Sequence, residues 1–290
     1  MIRSFLFVPA DSERKMQKAF VSKADALVLD LEDSVTASAR PEARVLVCEN
    51  LAGRDDTWVR INPLDSEDAD LDLEAIMPGA PTGIVLPKPQ SAGDAIDLAF
   101  RLDELEKANG IEPGSTKILP ICTERPEALF SLGGYVGATK RLAGLSWGAE
   151  DLSVAIGATT NRDENGAWLA PYKLARSMCL FAAAAAEVVA VDTVYTDFRD
   201  LDGLSRYAAN ARRDGFSGMF AIHPAQVDAI NDAFRIRAEE VARAQRIVDL
   251  FKANPGAGTL GLDGEMIDQP HLTQARRILD LAAAIEKKQG

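Results

Sequence analysis

Histidine and cysteine are scarce in this 290-residue chain, and their scarcity removes several chemistries at the outset. His223 and His271 are the only histidines, and neither has a Cys or His partner at ligand spacing, which argues against zinc. Cys48, Cys122 and Cys179 stand singly, with no CxxC pair. That usage suits a reducing cytoplasm and argues against a disulfide framework. No apolar run reaches the roughly 18 residues a membrane helix needs. The segment Met1–Phe5 carries no charged-then-apolar leader, so a cytoplasmic location is expected. Basic residues number 32 against 44 acidic, a net charge of −12 that speaks against binding nucleic acid or anionic membranes. A small anionic ligand is still permitted, because it feels the local field. No GxGxxG follows the first apolar run, which disfavours a dinucleotide fold.

What is present is a rhythm. Apolar residues make up 47% of the chain, enough for a substantial core. Short β-rich runs alternate with longer helical patterns, which predicts a parallel sheet with crossover helices. Eight strands are expected, at 3–8, 26–31, 58–62, 83–87, 118–123, 142–147, 188–195 and 219–222. Most are near-continuous apolar runs, as strands covered on both faces are. Eight such units predict an α/β fold, a (β/α)8 TIM barrel, over residues 1–235. Residues 236–290 exceed what a barrel requires. A helix at 239–251, a glycine-bearing stretch at 255–264 and a last helix at 271–287 are expected to form a lid or an oligomerisation arm.

Barrel enzymes work at the carboxyl ends of their strands. Here those ends read Asp30-Leu31-Glu32-Asp33, Arg60-Ile61-Asn62, Pro87-Lys88, Thr123-Glu124-Arg125, Gly148-Ala149-Glu150-Asp151, Asp197 and His223-Pro224. Any one carboxylate at a strand end is commonly a helix cap or simply solvated. The set is the signal. Glu124 and Asp151, on neighbouring strands, offer hard oxygen ligands suited to Mg2+, which takes few protein ligands. A fixed guanidinium at Arg60 can stabilise an enolate oxygen, and it can equally pair with the acids after strand two. Lys88 is read as a charge partner in preference to a Schiff-base nucleophile, because acidic neighbours oppose the lowered pKa a nucleophile needs.

The chain resembles the citrate lyase β-subunit group of the HpcH/HpaI aldolase family, which includes malyl-CoA and citramalyl-CoA lyases. The resemblance runs nearly end to end. It rests on Arg3-Ser4-Phe5-Leu6-Phe7-Val8-Pro9, Leu29-Asp30-Leu31-Glu32-Asp33, Val59-Arg60-Ile61-Asn62-Pro63 and Leu86-Pro87-Lys88. It continues in Glu124 with Ala128-Leu129, Gly148-Ala149-Glu150-Asp151-Leu152, Ile222-His223-Pro224-Ala225-Gln226 and Asp263-Gly264-Glu265-Met266-Ile267-Asp268.

The resemblance implies a cytoplasmic lyase or synthase acting on acyl-CoA and oxo-acid substrates, with Mg2+ held by Glu124 and Asp151. It implies that Arg60 binds substrate and enolate, and that Gly148, Ala149, Glu150 and Asp151 hold a substrate carboxylate through their amides. Lys88 joins the substrate-binding set. Asp268 would act as acid/base from an adjacent subunit of a homo-oligomer, often a trimer, with Glu32 and Asp33 ordering the metal's surroundings or Arg60. Arg125-Pro126 and Phe234-Arg235-Ile236-Arg237 depart from the common pattern and bear on the pocket wall and substrate identity. A malyl-CoA thioesterase, a CoA-independent pyruvate-type aldolase and a non-catalytic binding protein on the same scaffold are the competing readings.

Overall fold

The computed structural model describes residues 1–51 and 53–289. The chain forms two compact units, Ile2–Phe234 and Arg235–Gly290, the latter with Met1. The first unit alternates strands and helices. It runs β1 (Ser4–Pro9), α1 (Glu13–Phe20), β2 (Ala26–Asp30), α2 (Arg40–Leu51), β3 (Thr57–Arg60), α3 (Asp68–Ile76), β4 (Gly83–Leu86) and α4 (Ala92–Asn109). It continues with β5 (Lys117–Pro120), α5 (Pro126–Leu129), β6 (Gly144–Ser146), α6 (Ala149–Ala155), α7 (Ala170–Ala185), β7 (Val189–Asp192), α8 (Leu201–Asp214), β8 (Gly218–Ala221) and α9 (Val227–Ala233). Each of the eight expected strands overlaps an observed one.

All pairings in this sheet are parallel, in the order β5-β4-β3-β2-β1-β8-β7-β6. Bridges Ile118↔Leu142 and Ile121↔Ser146 join the two ends. The Cys122 N–H donates to Ser146 O at 2.8 Å, and the Ala143 N–H donates to Ile118 O at 2.9 Å. The sheet therefore closes on itself as the expected (β/α)8 barrel.

Side chains alternate across each strand, which splits the apolar runs into two cores. Phe5, Val28, Trp58, Val85, Leu119, Val191 and Phe220 cluster inside the barrel. Leu6, Leu27, Leu29, Val59, Ile84 and Ile118 pack with the helices. Gly83 is required by the inner core, since a Cβ there would meet the Trp58 ring at 2.4 Å. The same alternation decides what faces inward at the carboxyl end. Two residues beyond Val28 comes Asp30, two beyond Trp58 comes Arg60, and two beyond Phe5 comes Phe7. Asp30 and Arg60 are also register partners. An apolar interior thus ends in a charged layer.

The second unit contains α10 (Ala238–Ala253), β9 (Thr259–Leu262), β10 (Glu265–Asp268) and α11 (Gln269–Gln289). Ala244, Ile247, Val248, Phe251, Ile267, Leu272 and Ala275 form its own core. The glycine-bearing stretch at 255–264 ends in an antiparallel hairpin. Its two-residue turn, Asp263-Gly264, has φ values of 53° and 84°. Both residues are left-handed, as a type I′ turn demands, and Asp-Gly is a preferred pair for it. No described helix is long and apolar enough to cross a membrane.

Candidate active site

A cavity of about 410 Å3 opens at the carboxyl ends of the strands. Its lining includes Phe7, Asp30, Asp33, Arg60, Glu124, Trp147, Asp151 and Phe220, and the segment Gly148–Asp151. The size falls in the range of small-molecule sites.

Arg60 anchors this mouth. Its Nε and Nη2 donate to the two oxygens of Asp30, both at 2.7 Å, and its guanidinium carbon lies 4.7 Å above the Phe7 ring. Burial works against this charge, but Asp30, Glu32 and Glu124 outweigh it and hold the guanidinium above its usual pKa. Burial likewise works against the Asp30 carboxylate, yet Arg60 and the Ser34 and Glu32 amides keep its pKa below the usual value. Both shifts favour the ionised pair.

The neighbouring acids are held differently. Glu32 is buried, and burial pushes its carboxyl pKa upward despite Arg60 and Lys88. One of its oxygens lies 2.8 Å from Arg60 Nη1 but without hydrogen-bond alignment, so that oxygen lacks a hydrogen-bond partner. Glu124, only 4% exposed, is driven well above the usual carboxyl range by burial and by the nearby Glu32 and Asp151. Its Oε2 accepts one backbone N–H, that of Lys88, at 2.6 Å. Asp151 stands in the first turn of α6 with 35% of its side chain exposed. Asp33 is the most open of these acids, at 56%.

Gly148 lets Glu124 and α6 approach. A Cβ at Gly148 would lie 2.5 Å from Glu124 Cγ. The Gly148 N–H donates to Thr123 Oγ1 at 3.2 Å, and no side chain caps α6. Ala149, Glu150 and Asp151 therefore bring the uncapped first turn of a helix to the cavity wall, where backbone N–H groups favour an anion.

Among the described residues no group of three or more His, Cys, Asp or Glu is arranged to hold a metal. Glu124 and Asp151 supply oxygen only, on adjacent segments. Such a pair fits a hard cation that keeps most of its ligand positions for water and substrate, and does not fit zinc.

Arg60, Asp33, Glu124, Asp151 and Gly148–Glu150 therefore converge on one cavity. Glu32 and Lys88 are absent from its lining. The Lys88 ammonium donates to Glu32 at 2.6 Å and to Asp33 at 3.0 Å. Asp268 belongs to the C-terminal unit. There it precedes α11 and pairs with His271 Nδ1 at 2.5 Å, which lowers its carboxyl pKa.

Asp197 is not the end of the seventh strand, which stops at Asp192. Asp192 is fully buried and accepts from Trp147 Nε1 at 2.6 Å, Arg176 Nη2 at 2.8 Å and the Tyr207 hydroxyl at 3.2 Å. These bonds fix the Trp147 indole as a cavity wall, backed edge-on by Trp168 at 5.1 Å. Reading from the sequence passed over Asp30, Trp147 and Asp192 as site residues. Inward parity with Val28 would have found Asp30.

A carboxylate pair of hard donors beside a fixed guanidinium at a barrel mouth suits carbon–carbon bond chemistry next to a carboxylate. Comparison with known proteins makes the class specific. The chain belongs to the HpcH/HpaI aldolase/citrate lyase family, whose model matches residues 3–224. It is 35% identical over 286 residues to citrate lyase subunit beta of Haemophilus influenzae, covering 97% of this chain and 96% of that protein. It is 32% identical over 306 residues to mitochondrial citramalyl-CoA lyase of Rattus norvegicus, covering 99% and 87%. The crystal structure of Mycobacterium tuberculosis CitE in complex with magnesium, acetoacetate and coenzyme A superposes with a TM-score of 0.79 at 32% identity, covering 97% of this chain and 98% of that one. The expected family and its lyase character hold.

Proposed function

We propose that this chain is a Mg2+-dependent carbon–carbon lyase. It cleaves a 3-hydroxy di- or tricarboxylic acyl-CoA, such as malyl-CoA, citramalyl-CoA or citryl-CoA, into an acyl-CoA and an oxo-acid, or joins them in reverse. The observation that carries this reading is Arg60, held charged by Asp30, beside Glu124 and Asp151 in one cavity. The relatives named citrate lyase subunit beta and citramalyl-CoA lyase, and the magnesium, acetoacetate and coenzyme A bound by CitE, support the same chemistry.

Glu124 and Asp151 would hold the cation, which would supply positive charge to the oxo-acid oxygens. The first turn of α6 orients the substrate carboxylate. A base, assigned to Asp268, takes the proton of the 3-hydroxyl group. The bond between C2 and C3 then breaks, the hydroxyl oxygen becomes the carbonyl of the oxo-acid, and the electron pair passes to the acyl-CoA as an enolate. Arg60 stabilises that enolate oxygen without giving up its own proton, and protonation at carbon completes the acyl-CoA. Glu32 and Asp33 order this assembly.

Asp268 is assigned to the site of an adjacent subunit, in a homo-oligomer of which the trimer is the favoured form. Exposed Leu174 (60%) and Phe181 (69%) on α7 give such an assembly an apolar surface to cover. The free cysteines suit a cytoplasmic enzyme.

Product analysis with malyl-, citramalyl-, β-methylmalyl- and citryl-CoA tests the proposal. Acyl-CoA plus an oxo-acid is the expected outcome. Free CoA with an intact hydroxy-acid would mean thioester hydrolysis, and cleavage of the free acid would mean a CoA-independent aldolase. Glu124→Ala should remove Mg2+-dependent turnover and leave the fold intact by circular dichroism. Full activity in that variant sinks the metal assignment.

A further inference from the structure

Lys88 does two separate things at the barrel mouth. Its backbone is left-handed, with φ of 47°, a conformation that disfavours residues with a Cβ. That turn aims its N–H at Glu124 Oε2, 2.6 Å away. Its ammonium reaches Glu32 at 2.6 Å, Asp33 at 3.0 Å and Asp151 at 3.3 Å. One residue after β4 thus contacts acids that follow β2, β5 and β6. Arg60 already spans both oxygens of Asp30. Glu32, Asp33 and Asp151 share the Lys88 ammonium.

We propose that Lys88 is a positioning residue whose ammonium stands in for the divalent cation. In the metal-free protein it gathers Glu32, Asp33 and Asp151. It yields Asp151 when Mg2+ binds, while its backbone N–H holds Glu124 in place throughout. This rests on the reading of Glu124 and Asp151 as Mg2+ ligands. The physical basis is short-range competition. A positive charge 3.3 Å from a ligand oxygen occupies that oxygen and repels an incoming dication. The same charge relieves repulsion among the acids while the dication is absent. The left-handed backbone separates the two roles, because glycine adopts it freely and would keep the N–H in place without the ammonium.

The test uses the full-length chain as Lys88→Met, which removes the charge and keeps most of the bulk, and Lys88→Gly, which suits the backbone. Lys88→Arg keeps the charge. Calorimetry with MgCl2 alone should give a Kd about tenfold smaller for the Met and Gly variants than for wild type. Melting in EDTA should fall by about 3 °C or more in both, with the deficit shrinking at saturating Mg2+. The Arg variant should stay closer to wild type in both measurements. Unchanged or weaker Mg2+ binding in Lys88→Gly overturns the proposal, even if that variant melts lower, because Lys88 would then be a salt-bridge residue alone. Lys88→Gly decides the matter if Lys88→Met does not fold. Wild-type protein that binds no Mg2+ overturns the metal reading itself, and this proposal with it.

Discussion

At the amino-terminal ends of β5 and β6, Arg141 donates to both oxygens of buried Glu106, at 2.7 and 2.6 Å. The Thr116 and Gly114 N–H groups donate to the same carboxylate at 2.9 and 2.7 Å. At the opposite ends of the strands, buried Glu124 accepts one backbone N–H and lies beside two further acids. Burial raises the pKa of both carboxyls. Around Glu106 the donors more than offset it, and its pKa falls to about 2. Around Glu124 they do not, and its pKa rises well above the usual value. Identical residue types, buried in the same barrel, are shifted in opposite directions by what surrounds them, hydrogen-bond donors at Glu106 and further acids at Glu124. The first cluster is satisfied by the chain itself. The second gathers more acids than the chain's own donors offset.

The contrast can be broken by substitution. Glu106→Gln should cost about 3–5 kcal/mol in denaturant unfolding, because it leaves Arg141 buried without its main partner. The pH dependence follows the same pair. The folded pKa of Glu106 lies below its ordinary value of 4.5, so its stabilisation is present above pH 4.5 and is lost as pH falls toward about 2. The variant should therefore show a flatter acid limb across that window. An unchanged limb would mean that other carboxylates drive acid unfolding.

Gly148→Ala should cost less, about 1–3 kcal/mol, by forcing Glu124 away from α6. Calorimetry should then show weakened Mg2+ binding in a folded protein. Glu32→Gln is the sharpest test and the smallest effect on stability. Removing one acid from an over-acidic mouth should change unfolding free energy by less than about 1 kcal/mol while turnover falls roughly 10–100-fold. A loss as large as that of Glu106→Gln would erase the distinction between the two ends.

The convergence of much of the candidate site on one cavity is legible in the sequence. Glu124, Asp151, Arg60 and the Gly148–Asp151 segment follow apolar runs, and chain direction in a parallel barrel sends every such ending to one mouth. The hairpin at Asp263-Gly264 was equally legible, since Asp-Gly between short β-prone runs is a local signal; reading the stretch by its glycines alone missed it. Asp192 was hidden because Asp197 follows five residues later and looks more like a strand end than a buried acid. Asp30 was hidden among the acids Glu32 and Asp33, and only the inward parity of β2 separates it from them.

The sequence by itself determined the barrel and the chemical cast of its mouth, because apolar periodicity and the residues that interrupt it are local properties of a chain. Tertiary structure alone decided which carboxylates are satisfied. One oxygen of Glu32 and the ammonium of Lys88 meet across 56 residues of sequence, and the Lys88 N–H meets Glu124 across 36. Whether burial or pairing wins at a carboxylate depends on every donor that folding brings within about 3 Å, and no local pattern records that sum.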